Sequence, residues 1–220
     1  DIGTPLDVTV IPGFEFGSTP TGDGGALVGG GVSSTVTPQL ARIEKTNTAP
    51  EGARPPGPSH TFNYRHSVNL SEGVTVENVV LADTLPNNLQ WTGGAINIAA
   101  PLGVGCAVTT SPNAPTVPGG ELVVDCTAVT GTAAEEDLVV TFPAYITDIL
   151  NEAIDDSELI ENTVDLDYQY QGDDYEAFDD SQVLAVHAAL QKSVGGTAVP
   201  GGTLTYTIDF HLTDYPGMGS

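Results

Sequence analysis

Apolar side chains fall at every second position along most of this chain, and that period constrains the fold more than any other feature. His60, Phe62, Tyr64, His66 and Val68 alternate with Thr61, Asn63, Arg65 and Ser67, and Leu138, Val140, Phe142, Ala144 and Ile146 repeat the pattern. Val164, Leu166, Tyr168 and Tyr170 do so against Asp165, Asp167 and Gln169. A period of two puts one face of a strand in a core and the other in water, and Gly, Pro, Asn and Asp clusters separate the runs as turns. One short helix-like stretch, Thr147 to Ala153, reads as a crossover. Many short half-wet strands predict an all-β chain, an Ig-like β-sandwich of Greek-key type.

The pattern also repeats on a larger scale. Pro56-Gly57-Pro58-Ser59-His60-Thr61-Phe62 aligns with Pro200-Gly201-Gly202-Thr203-Leu204-Thr205-Tyr206, 144 residues on. Ala41-Arg42-Ile43-Glu44-Lys45 aligns with Ala188-Ala189-Leu190-Gln191-Lys192, 147 residues on. Leu6-Asp7-Val8-Thr9-Val10 resembles Val164-Asp165-Leu166-Asp167-Tyr168. Fixed-period similarity of this kind indicates an array of stacked units. The expected division is 1–39, the last strand of a preceding unit plus a Gly-rich linker at Thr21 to Ser34; 40–182, one complete sandwich; and 183–220, the first strands of a further unit. The start at Asp1, without Met or a signal-like segment, is expected for a processed mature chain or a fragment.

Cys106 and Cys126 lie in two strand-like runs, Val104 to Thr110 and Glu121 to Val129, joined by a Pro/Gly turn. They read as a disulfide across a hairpin, which would add about 3 kcal/mol and imply an oxidising compartment. Two buried free thiols are the alternative. Charge narrows the partners. Lys and Arg total 5 against 29 Asp and Glu, a net charge of −24. A polyanion repels phosphate, so nucleic acid and anionic lipid surfaces are excluded as partners, and no apolar run reaches the ~20 residues of a membrane span. Few lysines, abundant Gly, Pro, Thr and Val, and an acidic surface suit an extracellular, cell-surface protein.

Several strings together, Lys45-Thr46, Pro56-Gly57, Val79-Val80-Leu81-Ala82-Asp83-Thr84-Leu85-Pro86, the paired cysteines and Glu161-Asn162-Thr163-Val164, resemble a repeat of bacterial and archaeal cell-surface proteins. That family is known as domain of unknown function eleven and is related to isopeptide-forming fimbrial and adhesin domains. The resemblance covers about Leu40 to Gln171 and resumes from Val183. It implies an Ig-like fold and a role in stalks, adhesins or fimbriae.

Lysine carries the chemistry of interest, because the chain has only Lys45 and Lys192 and they fall at equivalent repeat positions. Both share parity with the apolar residues of their strands, and so do Asn162 and Asp83 on theirs. A lysine facing a core must pair or lose its proton, and the neutral amine is a nucleophile. In isopeptide-forming relatives a first-strand Lys joins a last-strand Asn beside an acid; Lys45, Asn162 and Asp83 match those places. Burial would raise the Asp83 pKa so that it donates a proton to the Asn162 carboxamide. An ordinary Lys45–Asp83 salt bridge is the plainer alternative.

Asp155, Asp156 and Glu158, and the run Asp173, Asp174, Glu176, Asp179 and Asp180 after Gln171-Gly172, could supply calcium ligands in loops, or be solvated faces. His60 and His66 replace Leu204 and Phe210 in the aligned repeat and read as half-buried strand residues, with a cation between them as the alternative. Trp91 and Tyr64, Tyr145, Tyr168 and Tyr170 fit a core or a glycan platform. No Gly-x-Ser-x-Gly, phosphate loop or unpaired Cys/His couple points to an enzyme. The expected function is a subunit or repeat of an extracellular fibre, adhesin or pilus-like filament. Its partners would be further copies assembled head to tail by strand complementation, or neighbouring repeats. The alternative is a calcium- or glycan-binding module.

Overall fold

The computed structural model describes residues 6–11, 13–14, 27–28, 30–36, 39–49, 53–113, 117–134, 136–147 and 154–215. The chain divides into two units, Asp1–Leu40 and Ala41–Ser220. No helix occurs among the described residues. The expected helical crossover falls, after Thr147, outside them.

The first unit holds β1 (Leu6–Val10), β2 (Gly13–Phe14), β3 (Leu27–Val28) and β4 (Val32–Val36). β1 pairs antiparallel with β4 and β2 with β3. Of the loop or linker expected at Thr21 to Ser34, the parts in β3 and at the start of β4 are strands, while residues 21–26 and 29 lie outside the described residues. Thr35 donates to Asp7 and Thr9 bonds Ser33 across the β1–β4 pair.

The second unit contains β5 (Ala41–Asn47), β6 (Ala53–Arg54), β7 (Phe62–Leu70), β8 (Thr75–Leu85), β9 (Leu89–Trp91), β10 (Asn97–Ala99), β11 (Gly103–Val104), β12 (Ala107–Thr110), β13 (Gly120–Thr130) and β14 (Leu138–Ile146). β15 (Glu158–Tyr170), β16 (Asp173–Ala185), β17 (Ala188–Gly195) and β18 (Thr205–Leu212) follow. One sheet has the order β10-β14-β7-β5, with β9 on β14. The other has the order β11-β13-β8-β15-β16-β6, with β12 on β13. The chain changes sheet from β7 to β8, from β13 to β14 and from β14 to β15, so sequence neighbours face each other across a core. Ile43, Tyr64, Val68, Val140 and Phe142 of one sheet and Val79, Leu81, Leu122, Val124, Val164 and Leu166 of the other are buried there. Each such side chain contributes about 1.5–3 kcal/mol on leaving water. The β-sandwich read from period two is present.

Side chains on β16 close one edge of the sandwich. Asp179 accepts from the Lys45 backbone N–H at 2.6 Å, and Asn47 donates to the Ser181 hydroxyl and the Gln182 carbonyl, each at 2.8 Å. The edge N–H of β5 is thus satisfied without extending the sheet. The sequence boundary at 182/183 falls inside β16, whose Val183 and Ala185 are buried in the first sandwich.

β17 and β18 form a two-stranded sheet of their own. It is tied to the sandwich where Val186 N–H donates to Arg54 O, Asp214 N–H to Pro56 O, and Ser59 N–H to the Asp214 carboxylate. The pairing register refines the repeat. Lys45 lies opposite His66 on β5–β7, and Lys192 lies opposite Ile208 on β17–β18. His66 therefore corresponds to Ile208, 142 residues on rather than 144, and Tyr64 corresponds to Tyr206. Both lysines sit over their tyrosine, at 5.1 Å for Lys45 on Tyr64 and 4.6 Å for Lys192 on Tyr206.

Candidate functional site

Four buried polar side chains from four strands meet inside the sandwich: Lys45 on β5, His66 on β7, Asp83 on β8 and Asn162 on β15. Register brings them together. Lys45 and His66 are direct cross-strand partners in one sheet. In the other, Asp83 lies opposite Val164, so Asn162, two residues earlier on the same face, is its diagonal neighbour. Lys45 is 3% exposed and the other three 0%.

Three of them converge on one carboxylate oxygen of the fourth, Asp83. Lys45 Nζ donates to Asp83 Oδ2 at 2.6 Å and to the Thr163 carbonyl at 2.8 Å. Asn162 Nδ2 donates to the same Oδ2 at 3.4 Å, and His66 Nε2 lies 2.6 Å from it. Asp83 Oδ1, Asn162 Oδ1, both ring nitrogens of His66 and the neighbouring Tyr64 hydroxyl make no hydrogen bond, so the approach of His66 Nε2 to Oδ2 is a close contact whose N–H is not aimed at the oxygen.

Burial pushes the Lys45 ammonium down to about 8, against the pull of Asp83, Asp179 and Asp165. Burial alone would raise Asp83, but His66 and the Lys45 charge outweigh it and hold the carboxyl below its ordinary value. The expectation of an Asp83 raised by burial is thus corrected, because the cationic partner and the imidazole favour the charged form. Burial holds His66 below the usual histidine value, although Asp83 opposes this. Tyr64, beside them, is raised by burial and by the Asp83 charge. The resting state is an ammonium–carboxylate pair whose proton is loosely held by the amine. Moved across 2.6 Å, that proton would leave a neutral nucleophile and a carboxylic acid side by side.

The other candidate residues are placed differently. Lys192 shares its strand face with Leu190 and Val194, as its parity indicated, but no second sheet covers that face among the described residues, and it is exposed. The acids after Gln171-Gly172 are not a loop. Gln171 and Gly172 have φ of 56° and 89° and make a tight two-residue hairpin turn, so Asp173, Asp174 and Glu176 run along β16. Tyr175, Ala177 and Asp179 alternate with Asp174, Glu176 and Phe178, which spreads the carboxylates along the strand. In the other cluster, Asp155 N–H donates to Glu158 and His187 N–H to Asp156. Among the described residues no three His, Cys, Asp or Glu side chains are grouped to hold a metal. His60 precedes β7 in a turn, with Nε2 2.6 Å from the Leu212 carbonyl, so the structure does not bring it to His66. Neither is a half-buried strand residue, since both are buried and only His66 lies in a strand. Trp91 and Tyr145 lie on β9 and β14, and Tyr168 is buried. Cys106 and Cys126 are joined as a disulfide, with Cα atoms 4.0 Å apart, bracing β13 against the segment between β11 and β12.

No family model matches the chain, and no curated protein matches it. Among solved structures, the major pilin subunit of Bacillus cereus is similar at 12% identity, over 93% of this chain and 63% of that one, with a TM-score of 0.48. The collagen-binding subdomain of the Enterococcus faecalis surface protein ACE is similar at 18% identity, over 64% of this chain and 95% of that one, with a TM-score of 0.40. The full-length major pilin of Corynebacterium diphtheriae is similar at 16% identity, over 75% of this chain and 39% of that one, with a TM-score of 0.41. The chain thus spans less than two thirds of either pilin. Likenesses this low in identity and score assign neither a function nor a residue correspondence.

Proposed function

We propose that this chain is a structural module of an extracellular surface fibre or adhesin, and that its sandwich is locked by an isopeptide bond between Lys45 and Asn162. The observation that carries the reading is the buried convergence of Lys45 Nζ and Asn162 Nδ2 on Asp83 Oδ2. An amine, a carboxamide and a carboxyl group in a dry pocket are the complete set for this reaction, which consumes no cofactor.

The steps balance within the site. Lys45 passes one proton to Asp83, and the neutral Nζ attacks Asn162 Cγ to form the new C–N bond. Asp83 polarises the carboxamide, whose Oδ1 otherwise has no donor, gives its proton to the leaving nitrogen and takes the second proton from Nζ, so that the amide nitrogen keeps one and Asp83 ends protonated. The Cγ–Nδ2 bond breaks and ammonia departs. Intact mass of the full chain tests the reading. A value one ammonia below the sequence mass, after allowing for the disulfide, is expected, and a full sequence mass ends it.

The unit repeats support arrangement of such modules end to end. On β17–β18, Leu190, Val194, Tyr206, Ile208, Phe210 and Leu212 share one face and are 56–63% exposed. An open apolar face this long favours pairing with a neighbouring module or another copy, in line with strand complementation.

A further inference from the structure

We propose that His66 is a positioning residue of the cross-linking site: through Nε2 it holds Asp83 Oδ2 opposite Lys45, and it remains as the carboxyl group's partner once the lysine has become an amide. This rests on the isopeptide reading above and adds a member that the amine, amide and acid do not require.

The geometry argues for a role beyond packing. His66 Nε2 and Lys45 Nζ lie at the same distance, 2.6 Å, from the same oxygen. The Nε2–Oδ2 contact has the distance of a hydrogen bond but not its alignment, and a reorientation of the imidazole that aims its N–H at the charged oxygen would complete it. Imidazole and ammonium thus approach Oδ2 from neighbouring strands of one sheet, the ammonium donating to it and the imidazole in close contact, while Asp83 Oδ1 stays without a partner. The proton count then gives His66 its task. Of the three protons on the Lys45 ammonium, one stays on the new amide nitrogen, one leaves with ammonia, and one remains in the site. Without His66, Asp83 would have to carry that proton alone in a pocket from which the only cation has gone. With it, the proton is shared by the Asp83–His66 pair.

The groups facing His66 are few. Lys45 comes from β5, Asp83 from β8, neutral Asn162 from β15 and Tyr64 from its own strand, while β14 presents the uncharged Val140, its cross-strand partner, and the Phe142 ring at 5.7 Å. Asp179 and Asp165 act on Lys45. Because burial keeps His66 below the usual histidine value, it enters the reaction uncharged at neutral pH. A proton gained in acid would place a second cation beside Lys45 and stabilise the Asp83 carboxylate, opposing the transfer that frees the amine.

The test starts from chain made by chemical synthesis or recovered from inclusion bodies in denaturant, confirmed by intact mass to carry the full sequence mass, and diluted into buffers from acid to neutral pH, with ammonia loss followed by intact mass. The wild type should slow on the acid side, with a midpoint below the ordinary histidine value. His66→Gln keeps a donor near Nε2 but cannot gain charge, so it should react within about threefold of wild type near neutrality and lose the acid limb. His66→Leu removes the contact and should be slower by about tenfold or more. Rates and pH profiles matching wild type in both variants overturn the proposal. Should His66→Leu fail to fold, the His66→Gln profile still decides. A wild type that never loses ammonia overturns the isopeptide reading itself, and is distinguished because it needs no variant.

Discussion

Replacing Asn162 by Ala removes the electrophile while leaving Lys45, His66 and Asp83 in place, so it isolates what the covalent bond contributes. The bond closes a loop of about 120 residues, and chain-entropy arithmetic for that length gives about 5 kcal/mol. The lost Asn162–Asp83 hydrogen bond adds about 1 kcal/mol. A domain of this size shifts by about 2–4 °C per kcal/mol, so the variant should melt roughly 12–24 °C below wild type. Packing changes alone could mimic such a drop, and a double-mutant cycle removes that ambiguity. Lys45→Met loses the same loop closure and also leaves Asp83 with only the neutral His66 and Asn162 beside it. If one bond joins the two residues, the double variant loses the closure once, and the cycle shows a coupling of about 5 kcal/mol by denaturant titration. Additive losses, or a wild type of full sequence mass, would refute the reasoning.

In Asn162→Ala the lysine remains an amine, near 8 when folded against 10.5 when unfolded. Between those values the unfolded chain holds the extra proton, so stability should rise with pH, by up to about 3 kcal/mol, and stay flat below about 8. Cross-linked wild type has no such amine and should lack the rise; melts across that range compare the two. Placing Glu at Ile208, in the middle of the open β17–β18 face, should abolish self-association seen by sedimentation, and in wild type that association should strengthen with salt as acidic repulsion is screened. Equal sedimentation of the two proteins would count against the face as a contact. Calcium or chelator should leave the melting temperature unchanged, because the carboxylates of Asp173, Asp174 and Glu176 are spread along a strand. A calcium-dependent rise would restore the ion-binding reading.

Parity along the strands was enough to find Lys45, Asp83 and Asn162, since a period of two states which face each residue takes. It could not state what lies opposite. Parity therefore leaves the resting charge of Asp83 open between a buried acid and a salt bridge: His66 reaches it from the other sheet, and only the β5–β7 register, with Lys45 opposite His66, reveals the approach. A histidine at an inward position beside the lysine strand was the available signal. Lys192 failed similarly. Its parity is that of Lys45, but parity does not say whether a second sheet exists to cover the face. The acids of β16 hid a strand because the inward residues between them, Tyr175, Ala177 and Asp179, are only partly apolar.

The placement of Lys45 on β5 and Asn162 on β15, near the two ends of the sandwich's chain path, has a mechanical consequence. With the two joined, tension arriving at β5 passes directly to β15, and the strands between them carry none of it. An unbonded sandwich pulled from those strands would shear β5 from β7 and pay out about 120 residues, roughly 400 Å of extended chain. The bonded one would stretch by the flanking strands alone, so that most of the fold is excluded from the load path.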